Sequence, residues 1–352
     1  MARILFEDDH WPPSYGVPPS NSLRLVVAIP ALNEEKTVGE VIQGIPDYIP
    51  GVSVIEVLVV DDGSEDQTAE RATQAGAHVI RHPFTGGVGS AFHTALIYSI
   101  EHDVDLLVSI DADGQFNPAD IPRLVAPIVA GVGDFTTASR FKDPRLTPQM
   151  PKLKLWGNRQ MSRLVSRLTG QTFSDVSCGM RCYSRQALLQ LCVLAPFTYT
   201  QEVFLNLAFK RLRIVEVPVC VRGEREFGRS RVAGNLWRYG LQTASIVFRS
   251  YRDYHPLRFF GGIAVVLVLF AVGLAAFLLI HYVRTGSFSP HKWAGFGAVT
   301  FGALALIMGH LGMVGDMLNR QRIYLEELLY RQRHAVNNQR ERKERNNIQH
   351  GV

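Results

Sequence analysis

Short apolar runs alternate with helix-like stretches along residues 22–232. The apolar runs are rich in β-branched residues and predict β-strands at 23–29, 54–60, 77–81, 105–110 and 134–139. The stretches between them predict helices around 36–45, 66–75, 88–101 and 118–130. Strands that alternate with crossover helices form a mainly parallel sheet, so the pattern predicts an α/β domain over these residues.

Two longer apolar segments follow that domain. Residues 259–283 and 293–315 contain no Asp, Glu, Lys or Arg, and each is long enough to cross a hydrocarbon core, which takes about 20 residues. Two buried helices of a soluble protein are a poor alternative, because such helices usually keep a polar stripe. The sequence therefore predicts a transmembrane hairpin over 257–315. Its small residues Ala298, Gly302, Ala305 and Gly309 would permit close contact between the two helices.

Lysine and arginine are concentrated outside the two outer ends of this hairpin, whereas the loop between the spans carries only Arg284 and Lys292. The outer arginines are Arg249, Arg252 and Arg258 before the hairpin, and Arg320, Arg322, Arg331 and Arg333 after it. The positive-inside rule then places both termini and the α/β domain in the cytoplasm. Residues 1–21 are rich in proline and acidic residues and lack the apolar segment of a signal peptide, so we expect a flexible cytoplasmic tail.

The segments that flank the hairpin are basic. Residues 233–256 place apolar residues at helical spacing, which predicts an amphipathic helix at the membrane surface, although a helix that packs on a partner fits equally well. Residues 316–352 form a basic tail that we expect to be a solvated, partly helical extension; attraction to anionic lipids is an alternative. Leu325, Leu328 and Leu329 in this tail would support a homo-oligomer.

The overall composition narrows the class of protein. Hydrophobic residues make up 47% and charged residues 20% of the 352 residues, which excludes wholesale disorder. The four cysteines contain no C-x-x-C pair, so we expect buried free thiols in a reducing compartment rather than disulfides or a zinc ribbon. The net charge of +5 comes largely from residues near the membrane, so nucleic-acid binding is not indicated.

Four of the predicted strands end in polar groups. The first is followed by PALNE at 30–34, the second by DDGS at 61–64, the fourth by DADGQ at 111–115 and the fifth by Ser139 and Arg140. Turn chemistry explains each one singly; Ser64 with Gln67, for example, resembles a capping box. Together they place three acidic clusters and one arginine at the edge where parallel sheets bind ligands.

Other common nucleotide sites lack support. No G-x-G-x-x-G follows the first strand and no P-loop motif occurs, so dinucleotide and P-loop sites are not indicated. The histidines of this region (His78, His82, His93 and His102) are scattered without ligand spacing, and we expect ordinary surface or packing roles for them.

Asp111 and Asp113 suggest the most specific chemistry. Two carboxylates one residue apart after a buried strand can bind a hard divalent cation, and substrate phosphates can complete the coordination shell. With a nucleotide-sugar donor, such a cation would offset the charge that develops on the departing diphosphate.

These motifs resemble those of one family, the membrane-bound members of glycosyltransferase family 2 of the dolichol-phosphate mannose synthase and polyprenyl-phosphate glycosyltransferase type. The resemblance covers about residues 22–315. The matching motifs are PALNE at 30–34, VDDGS at 60–64, DADGQ at 111–115, Ser139-Arg140, Asp175 with Gly179 and Arg181, and Arg225-Glu-Phe-Gly228-Arg-Ser230-Arg231. Three positions depart from the family pattern: Leu32 replaces Tyr, Thr85 replaces Asn, and Arg231 replaces Lys.

The resemblance implies a GT-A fold and inverting transfer of a hexose from a nucleoside-diphosphate sugar, GDP-mannose or a UDP-sugar, to a polyprenyl or dolichyl phosphate at the cytoplasmic membrane face. By analogy, the nucleotide sugar would contact Pro30, Leu32, Glu34, Val60, Asp61, Asp62, Asp111, Ala112, Asp113, Arg225 and Arg231. Mg²⁺ or Mn²⁺ would be bound by Asp111, Asp113 and Gln115. The acceptor phosphate would contact Arg140, Lys154 and Ser230, with Lys152 and Arg159 either helping or serving as plain surface charge. Asp111, Asp113 and Arg140 would be catalytic.

The chemistry of the acceptor is consistent with this assignment. A lipid monophosphate is largely a dianion at pH 7 and is already a nucleophile, so no strong general base is required. Whether Asp175 touches the acceptor or orders a loop stays open at this point. Two other functions remain: a transferase on the same fold that uses another lipid or polysaccharide acceptor, and a non-catalytic membrane scaffold.

Overall fold

The computed structural model describes residues 23–192, 200–222 and 251–350, together with positions 245, 248 and 249; side chains are described as far as residue 335. The expected tail at 1–21 and most of the expected amphipathic helix at 233–256 lie outside the described residues. Arg225, Ser230 and Arg231 lie outside them as well.

Seven strands form a single sheet. They are β1 (Leu23–Ala31), β2 (Val52–Asp61), β3 (His78–Arg81), β4 (Leu106–Ser109), β5 (Phe135–Ser139), β6 (Arg181–Ser184) and β7 (Ile214–Pro218). The order across the sheet is β3-β2-β1-β4-β6-β5-β7. All neighbouring pairs are parallel except those of β6, which runs antiparallel to β4 and β5. The five predicted strands are therefore confirmed, and β6 and β7 complete the sheet.

Helices cover both faces of this sheet. They are α1 (Val38–Gln43), α2 (Thr68–Gln74), α3 (Val88–Glu101), α4 (Ile121–Val129), α5 (Lys152–Thr169), α6 (Arg185–Gln190) and α7 (Thr200–Phe209). Because successive strand residues point to opposite faces, Leu25, Val27 and Ile29 of β1 join the core under α1 and α4. Val26 and Ala28 join the core under α3, α6 and α7. The predicted α/β fold with a mainly parallel sheet is confirmed.

Two long helices, α8 (Pro256–Thr285) and α9 (Lys292–His350), follow the α/β domain. Both are long and apolar enough to cross a membrane. They approach closely at glycines of α9: an added Cβ at Gly295 or Gly297 would lie 3.0 Å from Leu278 or Leu274 of α8. The expected contacts at Gly302 and Gly309 are wrong, because an added Cβ there meets no atom within 4 Å. Ala305 is buried, as a contact residue would be.

Helix α9 continues without a break beyond Gly315. The boundary that the composition suggested at 315–316 therefore falls inside one helix. Leu325 and Leu328 are 65% and 62% exposed on its surface, and the homo-oligomer that they would support stays a prediction.

The four cysteines carry free thiols, as expected. Cys178 and Cys182 are buried, and burial raises the pKa of the Cys178 thiol to about 12. Cys220 is exposed, so the expected burial is wrong there.

Candidate active site

The loops that follow β1 and β2 bind each other. The backbone N–H of Asn33 donates to Ser64 Oγ at 2.9 Å, and Asn33 Oδ1 accepts from the N–H of Glu65 at 2.8 Å. The N–H of Glu34 donates to Thr68 Oγ1 at 2.8 Å. The capping-box interpretation of Ser64 is wrong, since α2 begins at Thr68 and the Ser64 hydroxyl is used by the neighbouring loop.

Asp61 lies at the end of β2 with its side chain fully buried. Its Oδ1 accepts from the N–H of Ser64 at 3.0 Å, and its Oδ2 lies 3.2 Å from Arg81 Nε in an ion pair. Among the described residues, no hydrogen bond reaches Oδ2. A cleft of about 600 Å³ opens beside it, lined by residues 63–65 and 81–85. Asp61 therefore supports this cleft from behind through Ser64 and Arg81, which line it themselves.

Asp62, the next residue, is used by the protein itself. Its carboxylate accepts from the N–H groups of Gly86 at 3.0 Å and Gly87 at 2.7 Å, and it pairs with His82 Nδ1 at 2.8 Å. His82 Nε2 lies 2.9 Å from Thr94 Oγ1. Asp62 thus fixes the glycine loop (residues 85–87), whose Thr85 lines the cleft, and this favours an indirect role in nucleotide binding.

His82 is a functional candidate that sequence reasoning missed. The signal was its position, because His82 directly follows β3, the parallel neighbour of β2, just as Asp62 directly follows β2. The two side chains therefore emerge side by side at the same edge of the sheet.

Other residues expected to contact the nucleotide also lie at this edge. Pro30 and Val60 are register partners on β1 and β2. Val60 and Ala112 are buried, so the structure does not bring their surfaces into contact with a ligand in this conformation. Leu32 is partly exposed beside them.

Asp111 and Asp113 follow β4. Asp113 is 3% exposed, and its Oδ1 accepts from the N–H of Gln115 at 3.0 Å. Asp111 packs against the backbone of Gly179: a Cβ added at Gly179 would lie 2.5 Å from Asp111 Oδ2. Glycine at 179 thus leaves the space that the Asp111 carboxylate occupies.

The two aspartates fit a hard divalent cation. Among the described residues, no cluster of three His, Cys, Asp or Glu groups could hold a metal ion, so two carboxylates would have to be supplemented by water or substrate phosphates. Mg²⁺ and Mn²⁺ accept such mixed oxygen shells. The donor set is therefore typical of a site that binds its cation together with a phosphorylated substrate.

Gln115 connects this acidic loop to the segment after β7. Its Nε2 donates to the Arg222 carbonyl at 3.2 Å, and the N–H of Arg222 donates to the Gln115 carbonyl at 3.0 Å. Residue 222 directly precedes the segment that carries Arg225 and Arg231. The start of the segment that carries Arg225 and Arg231 is therefore hydrogen-bonded to the loop that carries Asp111 and Asp113.

Arg140 follows β5 and binds Asp175. Its Nε donates to Asp175 Oδ2 at 2.6 Å, and its Nη2 donates to Asp175 Oδ1 at 2.8 Å and to Ser177 Oγ at 2.7 Å. Burial pushes the pKa of Asp175 upward, but the charge and hydrogen bonds of Arg140 outweigh burial and hold that pKa below its usual range. Asp175 therefore stays ionised and orients the guanidinium of Arg140.

Glu216 supports this pair from β7. Its carboxylate accepts from the N–H of Ser174 at 2.9 Å and from the N–H of Asp175 at 2.8 Å. Burial raises the pKa of Glu216, although these N–H groups oppose the rise. No sequence pattern predicted this role, because it depends on the pairing of β7 with β5.

Lys154, on α5, lies within electrostatic range of Arg140. Burial lowers the pKa of Lys154, and the positive charge of Arg140 lowers it further. Lys152 and Arg159 on the same helix are exposed. Arg140 and Lys154, two of the residues expected to bind the acceptor phosphate, are thus near enough for the charge of one to affect the other.

Arg181 is fully buried, and its side chain hydrogen-bonds to the loop between Asp175 and Gly179. Its guanidinium donates to the carbonyls of Val176 at 3.2 Å, Cys178 at 2.8 Å and Thr200 at 2.9 Å. The loop 175–179 therefore has a fixed shape. Its first residue orients Arg140, and its last makes room for Asp111.

Comparison with known proteins identifies a related group. Residues 26–192 match the family model described as "Glycosyl transferase family 2". A UDP-N-acetylglucosamine–dolichyl-phosphate N-acetylglucosaminyltransferase of Methanococcus voltae is 29% identical over 215 residues, which is 55% of this chain and 84% of the relative. An undecaprenyl-phosphate 4-deoxy-4-formamido-L-arabinose transferase of Klebsiella pneumoniae is 28% identical over 312 residues, which is 84% of this chain and 88% of the relative.

A solved structure has the same arrangement of sheet and helices. Glucosyl-3-phosphoglycerate synthase from Mycobacterium tuberculosis, in complex with Mn²⁺, UDP and glucosyl-3-phosphoglycerate, superposes with a TM-score of 0.52 and 26% sequence identity. The match covers 65% of this chain and 80% of that structure. It confirms the GT-A fold.

Proposed function

The chain belongs to glycosyl transferase family 2, and we propose that it transfers a sugar from a nucleoside diphosphate to the phosphate of a polyprenyl phosphate. Membership confirms the resemblance that the motifs indicated and makes the chain a glycosyltransferase. The acceptor is proposed because the Methanococcus voltae and Klebsiella pneumoniae relatives are named for dolichyl and undecaprenyl phosphates.

One observation carries the proposal, namely the double attachment of the loop 175–179. Asp175 at its start orients Arg140, and Gly179 at its end accommodates Asp111. Four residues span at most about 14 Å even when fully extended. The acidic pair and the arginine are therefore held at fixed positions within reach of one donor–acceptor pair.

The donor would occupy the cleft beside β2 and β3. Asp61 would position Ser64 and Arg81 against the nucleotide, and the glycine loop fixed by Asp62 would form the cleft wall. We propose a UDP-sugar rather than GDP-mannose, because the solved neighbour binds UDP and the Methanococcus voltae relative is named for a UDP-sugar. Arg225 and Arg231 would reach the diphosphate from the segment rooted at Arg222.

Asp111 and Asp113, together with the donor diphosphate, would hold Mg²⁺ or Mn²⁺, with Gln115 alongside. The cation would offset negative charge on the departing diphosphate. The aspartates themselves are assigned to binding rather than to proton abstraction, because a phosphate dianion needs no strong base.

The acceptor phosphate would bind to Arg140 and Lys154, with Ser230 as a further contact. Arg140 presents its charge in an orientation set by Asp175, and Lys154 adds a second positive charge nearby. An acceptor oxygen fixed there can attack the anomeric carbon as the bond to the diphosphate breaks. Displacement in one step inverts the anomeric centre.

The helices α8 and α9 would anchor the enzyme as a two-span hairpin, with the catalytic domain and both termini in the cytoplasm. The excess of arginine outside the hairpin supports this orientation. We propose the same order of parts that the sequence suggested: a tail at 1–21, a catalytic domain at 22–232, a juxtamembrane segment at 233–256, the hairpin at 257–315 and a basic tail at 316–352. The second span and the tail as far as His350 belong to one continuous helix.

A transfer assay with the purified full-length protein tests the function. Undecaprenyl phosphate, Mn²⁺ or Mg²⁺ and a panel of UDP- and GDP-sugars are incubated together, and lipid products are identified by mass spectrometry. We expect a metal-dependent polyprenyl phosphate sugar from one or more UDP-sugars. Transfer only to another lipid, or no transfer from any donor that binds, would contradict the proposal.

A further inference from the structure

The part of α9 beyond the apolar span packs back onto the catalytic domain. Glu326 Oε2 lies 3.0 Å from Lys210 Nζ at the end of α7, and the two side chains are only 20% and 14% exposed. Lys210 also donates to the Gln190 carbonyl. Arg333 Nη1 donates to the carbonyls of Leu189 at 3.0 Å and Leu191 at 3.2 Å. A solvated extension would make none of these contacts.

The docked residues share one face of α9. Arg322, Glu326, Tyr330 and Arg333 are spaced by four, four and three residues, which places them along one side of a helix. Tyr330 packs against the core on the α3, α6 and α7 side of the sheet. The contact therefore combines a partly buried ion pair, hydrogen bonds and an aromatic side chain.

Tyr254 joins the beginning of the hairpin to the same place. Its hydroxyl accepts from Asn206 Nδ2 at 2.9 Å, and its ring lies 4.3 Å from that of Phe209. The guanidinium of Arg322 lies 3.8 Å from the centre of the Tyr254 ring. Both outer ends of the hairpin thus meet at α7.

Helix α7 also reaches the active site. The carbonyl of Thr200, its first residue, accepts from Arg181, which holds the loop 175–179. One end of α7 is therefore attached to the hairpin, and the other end to the loop that orients Arg140.

We propose that α9 beyond Gly315 is a rigid strut that fixes the height of the active-site edge above the bilayer, so that a membrane-embedded acceptor presents its phosphate to Arg140. This inference rests on the proposed function. Eleven residues separate Gly315 from Glu326, which corresponds to about 16 Å of helix. A continuous helix of this length, attached through Glu326, Arg333 and the contact of Arg322 with Tyr254, restricts the domain far more than a flexible linker would.

If α9 acts as this strut, disturbing it should affect a membrane-embedded acceptor and a water-soluble acceptor differently. Loosening it should impair capture of an acceptor that is confined to the bilayer, and should leave a water-soluble acceptor unaffected. Undecaprenyl phosphate in vesicles and soluble geranyl phosphate are the two probes. Donor binding should not change, because none of the strut contacts described lies at the cleft beside β2 and β3.

The test compares three variants of the full-length protein in vesicles. Glu326→Lys opposes Lys210 with a like charge, and Lys210→Glu/Glu326→Lys restores an opposite pair. Glu327→Lys is the matched control, since the adjacent Glu327 is half exposed and pairs only with Arg331 on its own helix among the described residues. Hydrogen exchange of 200–212 and 319–335 reports docking without any acceptor.

We expect Glu326→Lys to accelerate exchange in both segments and to raise KM for undecaprenyl phosphate by about fivefold or more, the lower end of typical couplings between sites. KM for geranyl phosphate should change less than twofold. The double variant should recover part of the loss, limited by the proximity of the introduced lysine to Arg322, and Glu327→Lys should resemble wild type.

Two results would overturn the strut: equal effects on the two acceptors, or exchange that is unchanged in Glu326→Lys. Failure of the proposed function is distinguishable, because it would appear as wild-type protein that docks normally by hydrogen exchange and transfers sugar to neither phosphate.

Discussion

Arg140 and Asp175 meet in a two-pronged ion pair, with Nε donating to Oδ2 at 2.6 Å and Nη2 donating to Oδ1 at 2.8 Å. The carboxylate is fully buried, whereas the guanidinium side chain keeps 15% of its surface exposed. Asp175 therefore fixes the plane of the guanidinium, while the Arg140 side chain as a whole is not completely buried. Because Asp175 is buried and bound to Arg140, an ordering role is favoured over direct contact with the acceptor, and this role stays a prediction.

Asp175→Asn should destabilise the catalytic domain. Removing one charge of a buried pair typically costs about 3–5 kcal/mol, and because the pKa of Asp175 is lowered, its contribution is present above the ordinary carboxyl pKa of 3.8 and is lost as the pH falls through the lowered value. Thermal unfolding at pH 7 and at progressively lower pH measures this. Asp143→Asn, in a pair whose arginine is 90% exposed, is the control and should unfold like wild type.

Gly179→Ala should weaken metal binding. The new Cβ would lie 2.5 Å from Asp111 Oδ2, so the carboxylate must move out of its position. Disturbing the support of a metal ligand typically costs about 10–100-fold in affinity, and the Mn²⁺ concentration for half-maximal activity should rise accordingly.

Gly157→Ala is the control for this substitution. An added Cβ there meets no atom within 4 Å, and the residue lies inside α5. Its metal dependence should match wild type. An unchanged Mn²⁺ requirement in Gly179→Ala would argue against Asp111 as a ligand.

His82→Ala should raise KM for the donor. Losing the hydrogen bond from His82 to Asp62 loosens the glycine loop that forms the cleft wall. A net loss of about 1–1.5 kcal/mol corresponds to about a 5–10-fold increase in KM. Initial rates at varied UDP-sugar measure it, with exposed His93→Ala as the control. If His82→Ala raised KM for the acceptor equally, the substitution would disturb the whole active site rather than the donor cleft, and the prediction would be contradicted.

The sequence predicted the strands that lie at the centre of the site, because β1, β2 and β4 are apolar on both faces and end in recognisable motifs. The sequence did not predict β6, which is only four residues long and begins with a charged residue, Arg181. Arg181 can be buried because backbone carbonyls accept its hydrogen bonds, and no sequence pattern reveals those carbonyls. The sequence also missed Glu216, whose partners are backbone N–H groups 41 and 42 residues away along the chain.

The contacts between α9 and the catalytic domain could not be predicted from the sequence for a similar reason. Glu326 and Lys210 are 116 residues apart, and no periodicity indicates that they meet. The acidic motifs at 61–64 and 111–115, by contrast, lie at the ends of β2 and β4 as predicted, because those strands are visible as apolar runs in the sequence.

Lys154 should give the acceptor KM a dependence on alkaline pH. Burial and the charge of Arg140 lower its pKa below 10.5, so its positive charge is present at low pH and is lost as the pH rises through that lowered value. KM for the acceptor phosphate should therefore rise with pH in wild type. Lys154→Arg, which stays charged, should flatten the rise. Identical pH profiles for the two proteins would remove Lys154 from the acceptor site.

The most direct measurement of the central claim is the acceptor KM of Arg140→Lys. Lysine preserves a positive charge opposite Asp175, which protects the fold, but it cannot form the same planar, two-pronged contact. Thermal unfolding and UDP–Mn²⁺ binding establish that the variant is folded and binds donor. If Arg140 receives the acceptor phosphate, KM for undecaprenyl phosphate should rise by about 10–100-fold, as expected for the loss of about 1.5–3 kcal/mol, while UDP binding stays unchanged. An acceptor KM equal to that of wild type would contradict the account.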